Sequence, residues 1–70
     1  MNNGVHYAML IRWSDEDQAY LVSFPEFGGR IFTHGDSYEE AAKNGKVMLD
    51  LLVGTYQDKG WSLPKPRVYA

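Results

Sequence analysis

The chain has no cysteine among its 70 residues. That one absence removes disulfide staples, thiolate metal sites and cysteine nucleophiles together. Histidine is scarce as well: His6 and His34 stand far apart, which argues against a structural zinc site and leaves the metal expectation at none. Long apolar runs are missing, the longest being a few residues, against the ~20 that a bilayer-crossing helix needs. Charge of one sign is not in large excess either. Nine acidic side chains against seven basic ones give a net charge of -2, with the basic residues spread along the chain. Bulk charge therefore offers no pull on nucleic acid. Residues 1–4, Met-Asn-Asn-Gly, carry neither a basic region nor an apolar stretch, so no secretory signal is expected and a cytoplasmic location is.

What remains must fold with little interior. A chain of this length is one domain, residues 1–70, and buries only about 60% of the surface its unfolded form exposes. Small domains of this kind lean on disulfides, a metal or another chain. With the first two removed, association is the expected support. A homo-oligomer, dimer or tetramer, follows as the expectation.

The patterning divides into five pieces. From His6 to Trp13 the residues alternate, with Tyr7, Met9, Ile11 and Trp13 on one face and His6, Ala8, Leu10 and Arg12 on the other. That period of two predicts a strand. Ser14 to Gln18 is polar and predicts a hairpin loop, and Ala19 to Phe24 predicts a second strand with Tyr20, Val22 and Phe24 on the apolar face. Pro25 ends that ladder because it has no amide hydrogen. Gly28-Gly29 permits a reversal into a third strand, Arg30 to His34.

Ser37 followed three residues later by Glu40 is a capping-box pattern. Beyond it, Tyr38, Ala41, Ala42, Gly45, Met48, Leu49, Leu52 and Tyr56 recur at helical spacing up to Gly60, a natural stop. Trp61-Ser62-Leu63 predicts a short last strand before Pro64. The expected fold is therefore α+β in the order β-β-β-α-β, an antiparallel sheet with one long helix on one face. The helix should cover the richer face. The opposite face keeps Ala8, Leu10, Leu21 and one of Ile31 or Phe32, and is the expected oligomer face.

Phe24-Pro25-Glu26-Phe27-Gly28, followed by Gly35-Asp36-Ser37-Tyr38-Glu39-Glu40-Ala41 opening a long helix, then Gly60 and Leu63-Pro64, resembles the HicB-like antitoxin domain over Tyr7 to Pro64. The resemblance implies a degenerate ribonuclease-H-like fold. It also implies binding and silencing of a small HicA-type RNA-cleaving toxin, with no enzyme activity and no cofactor. Many family members add a C-terminal DNA-binding segment; none is expected here, so no DNA binding by this chain alone is expected, and no membrane partner.

Physical reasoning about such a partner stands beside the resemblance. An RNA-cleaving toxin exposes a basic surface, and a mildly acidic inhibitor is steered to it. Contact residues should pair a large apolar group with nearby acids. Glu26 and Phe27 in the glycine-limited loop, Trp61 near the prolines, and Val47 with Leu51 on the outer side of the helix meet that description; the competing expectation is that Phe27 plugs the bottom of the core and Trp61 covers the helix end. Catalysis has weaker support: neither of the first two strands contains a carboxylate, and Asp15, Glu16 and Asp17 fall in a hairpin tip. His34 beside Asp36 lacks a nucleophile, since Ser37 is used as a cap. The alternative function is a stand-alone RNA-binding or regulatory module without a toxin partner.

Overall fold

The computed structural model describes residues 6–66. It contains three strands, β1 (Leu10–Ser14), β2 (Ala19–Ser23) and β3 (Ile31–Gly35), followed by one helix, α1 (Tyr38–Lys59). The sheet order is β1-β2-β3 with both pairs antiparallel. The α+β arrangement expected from patterning is therefore present as β-β-β-α.

Register fixes which residues share a face. Ile11 sits opposite Val22, which sits opposite Thr33; Trp13, Tyr20 and Gly35 form the next row. These rows face α1. Leu10 with Ser23, and Arg12 with Leu21 and His34, form the alternate rows on the other side. Between Val22 and Ser23 the β2-β3 register shifts, so that Ser23 pairs with Ile31 and Phe32 is the extra residue. A bulge of this kind leaves one residue out of strict alternation. It turns Phe32 toward Phe24, with ring centroids 5.5 Å apart, and leaves Ile31 on the open side.

The core lies between sheet and helix. Val22 and Phe24 are fully buried, joined by Phe27 and by Ala41, Leu49 and Val53 of α1. Helix α1 lies mainly over β3 and least over β1. Two glycines allow this close crossing. A Cβ on Gly35 would fall 2.4 Å from the Ala41 amide nitrogen, and one on Gly45 would fall 3.0 Å from Val22 Cγ1. The helix starts as its capping pattern predicts: Ser37 Oγ accepts from the Glu40 amide at 3.0 Å. The Glu40 carboxylate reaches back one residue further than in the usual box, accepting from the Asp36 amide. At the other end Gly60 takes a left-handed conformation (φ 71°), and its amide donates to the Gln57 and Tyr56 carbonyls.

Four expectations need correction. The first strand does not begin at His6. The Ala8 amide donates to the Glu26 carboxylate and the Tyr7 hydroxyl donates to the Pro64 carbonyl, so this approach segment is held by side chains instead of a ladder. The last strand at Trp61–Leu63 is not formed. Residues 61–66 are irregular; Leu63 packs against the core, and Pro64 and Pro66 supply no amides for pairing. The Phe24-to-Gly29 stretch is more than a glycine reversal: Pro25–Phe27 makes a 3-10 turn, with the Phe27 amide donating to the Phe24 carbonyl at 2.8 Å. On the helix, Val53 is buried whereas Tyr38 is exposed and stacks on Tyr20 at 4.3 Å.

Candidate functional site

Among the described residues, large apolar side chains remain outside the core in four places, one of them Tyr38 at the helix start, set against Tyr20. The broadest is the sheet face turned away from α1. Leu10 and Ile31 are 42% and 53% exposed there, flanking half-buried Leu21. A groove of about 400 Å³ runs over this face, lined by Leu10, Arg12, Leu21, Ser23 and Ile31, with Trp13 and Gly29 at its margins. Ala8 lies just outside it and is exposed. Alternation alone identified Leu10 and Leu21. Ile31 became assignable only through the bulge, and Trp13 only through its edge position, where its ring meets Tyr20 at 5.0 Å and Nε1 donates to Asp15 at 2.6 Å.

The second place is the outer side of α1. Val47 and Leu51, one turn apart, are 57% and 60% exposed. They sit opposite the buried stripe of Ala41, Gly45, Leu49 and Val53, among the exposed side chains Lys43, Asp50 and Asp58. The third is Trp61, 55% exposed at the helix exit. Its ring meets Tyr56 edge-on at 5.4 Å, and Lys59 Nζ lies 5.9 Å from its centroid. Trp61 thus presents one face to solvent while the rest of the ring is positioned by aromatic and cationic neighbours.

The Glu26-Phe27 pair behaves differently from the other candidates. Phe27 is buried, meeting Tyr7 at 5.0 Å, Tyr56 at 5.3 Å and Phe24 at 6.4 Å. The side chain closes the lower end of the core, the packing alternative for this residue, and does not project as a contact. The physical reason is the 3-10 turn, which folds Phe27 back beneath Phe24 instead of letting the loop extend. Glu26 is half-buried, and its carboxylate accepts from the Ala8 amide at 3.1 and 3.4 Å. Beside it, the Tyr7 hydroxyl has its pKa raised above the ordinary tyrosine value, first by burial and then by the negative charge of Glu26. Both act as fasteners between the N-terminal approach segment and the turn.

Of the residues weighed for catalysis, Asp15 and Asp17 make local hydrogen bonds in the hairpin tip and His34 contributes its backbone carbonyl to packing. The His34 carbonyl accepts from Asn44 Nδ2 at 2.8 Å, tying β3 to α1, and the imidazole is on the exposed sheet side. In the hairpin tip Asp15 holds Trp13, and Asp17 accepts from Ser14 Oγ at 3.1 Å while its amide donates back to that oxygen. Among the described residues, no three His, Asp or Glu side chains come together as a possible ion cage. Among the described residues, no helix is long and apolar enough to cross a membrane. Comparison with family models, with curated proteins and with solved structures finds no match to this chain.

Proposed function

We propose that this chain is a HicB-like antitoxin, a protein-binding domain that neutralises a small basic HicA-type RNA-cleaving toxin by covering its RNA-binding surface. The observation that carries the reading is the group of large apolar side chains left outside so small a core. Trp61, Val47 and Leu51 are each more than half exposed. Tryptophan is enriched among binding hot spots whereas leucine and valine are under-represented, so Trp61 carries most of this reading and Val47 with Leu51 add apolar area. Asp50 and Asp58 flank Val47 and Leu51 on α1 and suit a cationic partner through steering and orientation, against Lys43 on the same side and Lys59 beside Trp61. Trp61 and the Val47-Leu51 pair are the toxin contacts in this reading; Phe27 supports them from the core, and Glu26 pins the turn.

The test is co-expression with a candidate toxin, a basic protein of small α/β type, followed by pull-down and an RNA-cleavage assay. The expected result is a stable pair in which cleavage is suppressed. Trp61→Ala should weaken capture at least tenfold while leaving the helical signal of the free protein unchanged. If the chain elutes alone beside every candidate and instead retains RNA at physiological salt, the regulatory RNA-binding reading replaces this one.

A further inference from the structure

On the side of the sheet that α1 covers, one stretch of aromatic surface stays open. Trp13 of β1, Tyr20 of β2 and Tyr38 at the start of α1 stand in a row. The Trp13 and Tyr20 rings meet edge-on with centroids 5.0 Å apart, and Tyr20 and Tyr38 lie 4.3 Å apart at a tilt of 37°. Trp13 is 45% exposed and Tyr38 60%, with Tyr20 half-buried between them. We infer that this row is a docking strip for an arginine side chain of a basic partner protein. It lies at the opposite end of α1 from Trp61, and the inference does not rest on the contacts proposed for Trp61, Val47 and Leu51.

The rings alone leave two kinds of planar ligand open, a nucleobase or a guanidinium. Charge decides between them. Asp15 lies against the strip, its Oδ1 accepting from Trp13 Nε1 at 2.6 Å. Asp36 follows Gly35, which pairs with Tyr20, and Glu39 follows Tyr38; all three carboxyl side chains are exposed. The nearby cations are placed elsewhere: Arg12 shares its row with Leu21 and His34 on the far face of the sheet, and Lys43 stands on the outer side of α1. A phosphate-bearing strand would meet carboxylates here, whereas a guanidinium finds a ring face and an acceptor together. The positive end of the α1 dipole opposes a cation, and Asp36, Glu39 and Glu40 around the helix start offset its roughly half-unit charge.

The strip is also set before a ligand arrives. The bond from Trp13 to Asp15 fixes the indole, and the loop carrying Asp15 is closed by bonds between Ser14 and Asp17 and from Gln18 Nε2 to the Asp15 carbonyl at 2.7 Å. Groups held in place lose little freedom on binding. A carboxylate has several acceptor sites, so Asp15 can hold the indole and take a guanidinium N–H at once. Arginine fits better than lysine because its planar fork stacks on a ring while its edge reaches a carboxylate.

NMR titration of the isotope-labelled full chain with a hexa-arginine peptide tests this. The expected result is a saturable shift of the Trp13 indole N–H signal with a midpoint on the order of 1 mM, while the Trp61 indole signal stays in place. Hexalysine, equal in charge, should bind at least threefold more weakly. Tyr38→Ala and Glu39→Gln, both at exposed positions, should each weaken hexa-arginine binding about threefold, the scale of one exposed cation–π contact. Asp58→Asn removes the same unit of charge near the other end of α1 and should leave binding unchanged, as should Trp61→Ala. Circular dichroism checks that each variant is folded, and the comparison of the two peptides on the wild-type chain decides the matter should Tyr38→Ala unfold. The inference is overturned by a Trp13 signal that does not move or by hexalysine binding as tightly as hexa-arginine. Asp58→Asn weakening binding as much as Glu39→Gln also overturns it, since bulk charge alone is then being read. A uridine oligonucleotide that saturates the Trp13 shift at lower concentration than the peptide overturns it too, and hands the strip to RNA.

Discussion

Gly35 ends β3 directly under the first turn of α1, and its missing side chain is what lets the chain turn there. A Cβ at this position would meet backbone atoms of Glu40 and Ala41 at 2.4–2.8 Å, and backbone cannot step aside as a side-chain tip can. Gly35→Ala is expected to destabilise the fold by about 1–3 kcal/mol through forced displacement of the helix start. Urea denaturation measures it as a lower midpoint with little change in slope. A second residue-scale expectation concerns Tyr7, whose folded-state pKa is raised above 10.0 by burial and by Glu26. Raising that pKa means that folding favours the protonated phenol. Its contribution is fully present below the unfolded-state value and is lost as pH rises through the folded one. Stability should therefore fall between neutral pH and pH values above 10.0, and Tyr7→Phe should fall less steeply over the same range in thermal melts.

At the scale of elements, α1 offers a direct comparison between two glycines. Gly54 has nothing within 4 Å of where a Cβ would stand. Gly54→Ala should therefore raise stability by about 0.5–1 kcal/mol through reduced backbone entropy in the unfolded chain and better helix propensity. Gly45 gains the same propensity but would press on Met9 Sδ at 2.8 Å and on buried Val22 at 3.0 Å. The Met9 tip can move; Val22 cannot. Gly45→Ala should lower stability by about 1 kcal/mol, the overpacking cost exceeding the propensity gain. Opposite signs from the same substitution on one helix, read as shifts in melting temperature, are the result to look for.

The helix was legible from Ser37 to Gly60 because cap, periodicity and stop all agree, and the hairpin because polar Ser14–Gln18 separates two alternating runs. What escaped were places where tertiary contact replaces local pattern. His6 to Met9 alternates like a strand, yet the Ala8 amide donates to the Glu26 carboxylate instead of a neighbouring strand, and the Tyr7 hydroxyl donates to the Pro64 carbonyl. Ile31 and Phe32 are adjacent and both apolar, and only the bulge decides which goes inside. Trp61–Leu63 looks like a strand by composition, but the prolines after it leave no ladder to extend. For the candidate site, Val47, Leu51 and Trp61 were findable because they break the helical stripe or follow its stop. For Phe27 the sequence left contact and core plug both open, and the 3-10 turn at Pro25–Phe27 decides for the plug.

For the molecule as a whole, the small interior makes each core aromatic weigh heavily. Phe27 touches Tyr7, Phe24 and Tyr56, linking the approach segment, the turn and the far part of α1. Truncating a buried phenylalanine costs about 3–5 kcal/mol. A domain of this size has a total stability of only about 4–10 kcal/mol. Phe27→Ala is thus expected to leave the chain largely unfolded near body temperature, seen as loss of the helical signal and of the cooperative melt. Trp61→Ala, at an exposed ring, should shift the melt by only a few degrees. This contrast separates a residue that builds the fold from one that the fold displays.

The hydroxyl of Tyr7 and the carbonyl of Pro64 join positions 57 apart along the polypeptide. A clasp of that kind makes a loop of nearly everything between them. Proteolysis at the proline-rich side would remove one of the ties on the Tyr7–Ala8 segment and leave those to Glu26 and Phe27.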